Sequence, residues 1–155
     1  MRDSNLKLNP KKCNFLRKEI IYLGHKCSEE GIKPDQRLIK SITDSPQPKN
    51  PKQLMSFLVL ANYYRKFIKD FAKIAGPLYH QIKKHQKFEW NTECTEAFVK
   101  LKKSLTTQPV LTYPDFSKEF SITCDTSGQG VGAVLEQEGR VVCYASKTLN
   151  PTQNR

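Results

Sequence analysis

The chain has 155 residues, 37% of them hydrophobic and 26% charged, which allows one domain or two small ones and argues against a fully disordered chain. Its formal net charge of +11 is unevenly placed: residues 1–103 carry 22 Lys+Arg against 10 Asp+Glu, and residues 104–155 carry 4 against 5. A basic excess confined to the first two thirds calls for a polyanionic partner, nucleic acid before a merely solvated surface, and leaves the last third another task.

In chain order, "CNFLRKEIIYLGHKCSEEGI" reads as two short extended runs, around Ile20–Leu23 and His25–Cys27, with Gly24 between them and "SEEG" closing the second. In "KPDQRLIKSITDSPQP", Asp35 is a candidate N-cap and Leu38, Ile39 and Ile42 recur at helical spacing, until Pro46 and Pro48 stop the helix and stiffen a linker. Asn50-Pro51-Lys52-Gln53 is a strong helix start, because Asn50 can cap, proline suits the first turn and Gln53 can reach back as in a capping box. "IAGPLYHQIKKH" predicts a second helix in this region, starting near Pro77. Asn91 or Thr92 then caps a third, striped by Ala97, Phe98, Leu101 and Leu105.

Beyond "TTQPVLTYPD" the hydrophobic period shortens. "EFSITCD", "VGAVLEQ" and "RVVCYAS" predict three strands, separated by "SGQG" at 127–130 and by a tight Glu138-Gly139 turn. The order of hairpin, helices and antiparallel sheet makes an α+β chain with segments 1–34, 35–106 and 107–155. The five cysteines are odd in number and lack CxxC spacing, which suits reduced thiols in an intracellular protein, cytoplasmic or nuclear. His25, His80 and His85 form no finger or ribbon spacing with them, so a zinc site is rejected. No apolar run is long enough to span a bilayer, and "MRDSNLKLNPKKC" lacks the apolar stretch of a signal peptide.

The stretch "FLVLANYYRKFI" mixes apolar, aromatic and basic residues. On a helical wheel of residues 52–69, Leu54, Phe57, Leu58, Leu60, Ala61, Tyr64, Phe67 and Ile68 share one half. Lys52, Met55, Ser56, Val59, Asn62, Tyr63, Lys66 and Lys69 share the other, so a row Met55–Val59–Tyr63 runs one turn apart between lysines. Spacing alone serves a seam for another helix as well as a face for a nucleic-acid groove. The lysines favour nucleic acid, with apolar and aromatic groups against sugars and base edges and ammonium groups on phosphates.

"YLGH…SEEGIKP", "PQPKNPKQLMSFLVLANYYRKFIKDFAKIAGPLY", "FEWNTECTEAFVKLKKSLTTQPVLTYPDFSKEF" and "CDTSGQGVGAVLEQ" together resemble, in order, the Pol polyprotein of Ty3/Gypsy-type LTR retrotransposons. The resemblance implies the end of a reverse transcriptase palm, a helical thumb and linker region, and a truncated antiparallel sheet opening an RNase H-like domain. It implies a primer grip at Tyr22, Leu23 and Gly24, and a thumb helix that follows the duplex minor groove through Met55, Val59 and Tyr63. Asp125 matches the first carboxylate of the RNase H metal site, which in a complete parent would hold Mg2+ or Mn2+. The family's polymerase aspartates belong before Met1 and its other RNase H carboxylates after Arg155. The expectation is therefore a template–primer binding segment, catalytically incomplete and without a metal of its own, from a parent with RNA-directed DNA polymerase and RNase H activity.

Departures from the family pattern are "FLVL" for "FLGL", which puts Val59 where glycine is usual, Ser45 for an aromatic in "SPQP", and "DTS" for "DAS". Asp125 on its own could equally be a turn-forming residue. The competing readings are a non-catalytic interaction protein that docks on other Pol domains, and an inert remnant. A virus-like particle would be the parent's location.

Overall fold

The computed structural model describes residues 7, 9–84, 86–107, 109–128 and 130–150; His85 and Gln129 of the "SGQG" turn lie outside them. A first antiparallel meander is formed by β1 (Glu19–Tyr22), β2 (His25–Ser28) and β3 (Gly31–Pro34). Four helices follow: α1 (Gln36–Thr43), α2 (Pro51–Tyr63), α3 (Phe71–His80) and α4 (Thr92–Thr106). A second meander of β4 (Ser121–Ser127), β5 (Gly130–Gln137) and β6 (Arg140–Thr148) completes the α+β fold.

The helix starts follow from local chemistry. The side chains of Asp35, Asn50 and Asn91 accept from the amides of Arg37, Gln53 and Cys94, so each satisfies a donor that the first turn leaves free. Gln53 reaches back one residue further than in a capping box, accepting from the Lys49 amide at 2.8 Å. Glu138 and Gly139 both have positive φ, 51° and 73°, as a two-residue hairpin turn requires.

Four sequence expectations are corrected. The N-terminal hairpin has a third strand, β3, which starts at Gly31, the last residue of the "SEEG" that reads as its closing turn. Helix α2 stops at Tyr63, six residues short of the wheel; a 3-10 turn over Arg65–Phe67 and a left-handed Asp70 (φ 55°) take the chain into α3. Phe67 and Ile68 are buried by that turn and not by a helix face, while Leu60, assigned to the buried half, is exposed. Helix α3 begins at Phe71, six residues before Pro77, which lies inside it. Phe71, Ala75 and Leu78 bury its inner face, and this packing outweighs the backbone hydrogen bond that proline removes.

The core is helical. Leu54, Leu58, Ala61, Leu78, Leu101 and Leu105 are sealed in it, and Leu111 joins them from the connection to β4. Ile32 and Leu111 exchange backbone hydrogen bonds at 2.8 and 3.0 Å, which ties the first meander to the last third of the chain. The second sheet docks through polar contacts: Thr112 N–H donates to the Val141 carbonyl, Arg65 donates to the Ser146 carbonyl, and the Ser146 hydroxyl accepts from the Ala72 amide.

Candidate nucleic-acid interface

The outer face of α2 follows from its inner one. Leu54, Phe57, Leu58 and Ala61 bury one stripe, and the helical period then turns Met55, Val59 and Tyr63 outward. Their exposures are 46%, 60% and 49%, and Lys52 and Asn62 are exposed beside them. The break after Tyr63 removes Lys66 and Lys69 from this row. The Lys66 ammonium lies 5.3 Å from the centroid of the Phe67 ring, and Lys69 lines a separate open cleft with Lys73, Lys100 and Tyr144.

Beside the last turn of α2 sits the tip of the first hairpin. Leu23 and Gly24 form its turn with φ of 46° and 69°, a conformation that costs leucine of order 1–2 kcal/mol. The tip is held from the helix side. Tyr63 donates its hydroxyl to the Leu23 carbonyl, and Tyr64 donates to the Gly24 carbonyl at 2.9 Å. A Cβ on Gly24 would lie 3.1–3.3 Å from side-chain atoms of Leu38, Tyr63 and Tyr64, so a substitution would have to push these aside in addition to bearing the positive φ. The side chains of Tyr22 and Leu23 remain exposed. Tyr22, Leu23, Gly24 and Tyr63 are thus neighbours, with Val59 and Met55 one and two turns back along the helix.

Sequence reasoning missed two residues of this arrangement, His25 and Tyr64. His25 donates through Nδ1 to the same Leu23 carbonyl, 2.7 Å away, and its ring lies 5.4–5.7 Å from those of Tyr63, Tyr64 and Phe67. Burial pushes the imidazole below its ordinary value and Lys66 adds to this, against the bond to Leu23. Tyr64 is almost wholly buried, which pushes its hydroxyl up to about 12, helped by Tyr63 and Asp35. The adjacent "YY" and the "GH" pair were visible signals, but nothing local joins two segments 40 residues apart.

Asp125 lies on β4, whose every residue is exposed, opposite Gly132 of β5. A Cβ on Gly132 would collide with the Asp70 carboxylate, so Asp70 and Asp125 line one small cleft, together with Lys73 and Lys147.

Residues 90–155 match the RNase H-like domain found in reverse transcriptase. The chain is 45% identical over 152 residues to the retrovirus-related Pol polyprotein from transposon 412 of Drosophila melanogaster, covering 96% of this chain and 12% of that protein. It is a relative of the Ty3/Gypsy-type Pol polyproteins. The gypsy Pol polyprotein of the same fly is 41% identical over 98% of this chain and 16% of its own length. The Tf2-3 polyprotein of Schizosaccharomyces pombe is 37% identical over 89% of this chain and 10% of its own length. This Pol-related chain therefore spans only 10–16% of these relatives. Among solved structures, the foamy viral protease-reverse transcriptase in complex with RNA/DNA hybrid aligns at a TM-score of 0.82 with 24% identity, over 94% of this chain and 20% of that one. Its complex with dsDNA aligns at 0.81 with 24% identity, over 94% and 31%. That likeness fixes the fold.

Reverse transcriptases with RNase H domains use divalent ions. Among the described residues, no group of three or more His, Cys, Asp or Glu side chains is placed to hold one. Asp70 and Asp125 are the acidic residues lining the cleft, alongside Lys73 and Lys147, a set that does not fit a two-ion site.

Proposed function

We propose that this Pol-related chain holds template–primer duplex, RNA–DNA hybrid or DNA, as the palm-end, thumb and RNase H-like portion of a reverse transcriptase. The observation that carries the reading is the exposed Met55–Val59–Tyr63 row, which runs up to a hairpin tip pinned beside it. Apolar and aromatic side chains in such a row lie against sugars and base edges, Lys52 and Asn62 reach phosphates, and Tyr22, Leu23 and Gly24 meet the primer end. Tyr63 would contribute its ring, since its hydroxyl is committed to Leu23. The basic charge of residues 1–103 supplies the long-range attraction.

Under this reading segments 1–34, 35–106 and 107–155 are palm end, thumb and RNase H-like part. The parent would be an RNA-directed DNA polymerase with RNase H, using Mg2+ or Mn2+ partly through Asp125. Lys66 and Lys69 would act as separate phosphate contacts outside the row. A second reading has a specific observation in its favour: Ile20, Ile21, Tyr22 and Leu23 are all exposed, an apolar strip suited to another Pol domain.

The test is binding of the chain to an RNA–DNA hybrid across a salt series, with a heparin-like polyanion as control. About five phosphate contacts give a log–log slope near −4.5 on B-form DNA. Val59→Gly should tighten binding despite a helix cost of about 1 kcal/mol, because it clears the face the groove would occupy. Unchanged affinity for Val59→Gly, or equal binding to hybrid and control, defeats the duplex reading. Self-association that survives high salt would favour the protein-docking one.

A further inference from the structure

The Leu23 carbonyl is an unusual acceptor. It sits in a left-handed turn that leucine resists, and it takes bonds from both the Tyr63 hydroxyl and the His25 ring. A neutral imidazole with its proton on Nδ1 can donate to that carbonyl, which leaves Nε2 as a bare lone pair. Nε2 is buried and without a hydrogen-bond partner among the described residues, and the imidazole that carries it is packed by the rings of Tyr63, Tyr64 and Phe67. A lone pair tolerates such surroundings far better than an N–H, which would be a buried donor with nothing to accept it.

We infer that His25 is a positioning residue whose neutral form seats the Leu23–Gly24 turn against the end of α2 and so sets the hairpin tip beside the Met55–Val59–Tyr63 row. The inference rests on the duplex-holding reading for its use, but not for its geometry. Protonating His25 places a second N–H in the aromatic pocket and a positive charge close to Lys66 of the 3-10 turn. The other groups around the ring cannot compensate. Tyr63 and Tyr64 already spend their hydroxyls on the turn, and Asp35, which acts on Tyr64, is engaged by Arg37.

The sign follows from the lowered value in the folded chain. The seated turn binds fewer protons than the free one, so seating is complete above the ordinary value of 6.5 and is lost as the pH falls below it. One pH unit below the midpoint of His25 about a tenth of the chains keep the neutral ring, so affinity for a ligand that needs the seated tip drops about tenfold.

The experiment is an NMR titration of the whole labelled chain from about pH 8 to about pH 5, with hybrid affinity measured in parallel. The His25 ring should titrate below 6.5, and the Leu23 and Gly24 amides should move with the same midpoint. His25→Asn keeps a donor near the Nδ1 position without titrating, so it should hold the turn and remove the pH dependence of both readouts. Turn amides that ignore the His25 titration, or a His25→Asn variant with an unaltered pH profile, would overturn the inference. If the turn follows His25 while hybrid affinity responds to neither salt nor Val59→Gly, His25 keeps its role and the duplex reading fails.

Discussion

The helical region and the second sheet are built on different principles. Buried hydrophobic side chains run from Ile39 to Leu111, contributed by all four helices and the turns between them. The second sheet adds Val141 to that core, and its own buried residues are polar, Gln137 and Ser146. Gln137 binds both backbone groups of Asp115 at 2.8–2.9 Å, and Ser146 caps α3. One region is thus stabilised by excluding water, whereas the other is positioned by hydrogen bonds onto a surface that already exists. The same contrast separates the two candidate site regions. The α2 row stands on a packed helix, while Asp125 stands on an exposed edge strand.

The sharpest test of the contrast is a pair of truncations. Leu101 is 0% exposed in the centre of the core, and Leu101→Ala should cost about 2–5 kcal/mol in urea unfolding. Ile122 on β4 is 67% exposed, and Ile122→Ala should change stability by less than about 0.5 kcal/mol. Comparable losses at both positions would break the comparison and give the sheet a core of its own.

How much of this was legible in the sequence depended on whether the signal was local. The caps at Asp35, Asn50 and Asn91, the Glu138-Gly139 turn and the outward row of α2 were readable, because each needs only neighbours within one or two helical turns. The end of α2 was not. Helical periodicity persists through Lys69, but burial of Tyr64, Phe67 and Ile68 against the core is achieved by a tighter turn. The start of α3 was hidden as well. Its first turn takes a cap from Ser146, 74 residues away, and proline normally marks a start and not a midpoint. His25 was readable only as the start of an extended run and as a zinc ligand to be rejected, because its partners Tyr63 and Tyr64 arrive by tertiary packing.

Glycines offer a second way to sharpen the comparison. Gly31 has φ of 133°, and an added Cβ would overlap the Leu111 carbonyl at the bridge between the first meander and the last third. Gly31→Ala should therefore cost more than about 1 kcal/mol and abolish hydrogen-exchange protection at Ile32 and Leu111. Gly76 is the control. It lies inside α3 with no other segment near its missing Cβ, and the helix propensity that alanine would add is opposed by crowding against the following Pro77, so Gly76→Ala should change stability by less than about 1 kcal/mol. A loss at Gly76 as large as that at Gly31 would mean that the outer side of α3 is not the open surface it resembles.

The most delicate test lies at the joint between the two regions. Asp70 occupies the N-cap of α3, yet its side chain makes no capping bond; its carboxylate lies over Gly132 of the sheet, and Ser146 supplies the acceptor for Ala72. The sheet thus supplies the cap that the helix's own N-cap residue does not. Ser146→Ala should cost about 1 kcal/mol, the usual value of a lost cap. If the sheet is positioned by polar contacts, native-state hydrogen exchange should show β6 and the Ala72 amide opening together, while the amides of α2 and α4 keep their protection. If Ala72 alone loses protection, the Arg65 bond to the Ser146 carbonyl and the Thr112 bond to Val141 suffice to hold the sheet. The joint would then be a set of independent contacts and not a single coupled one.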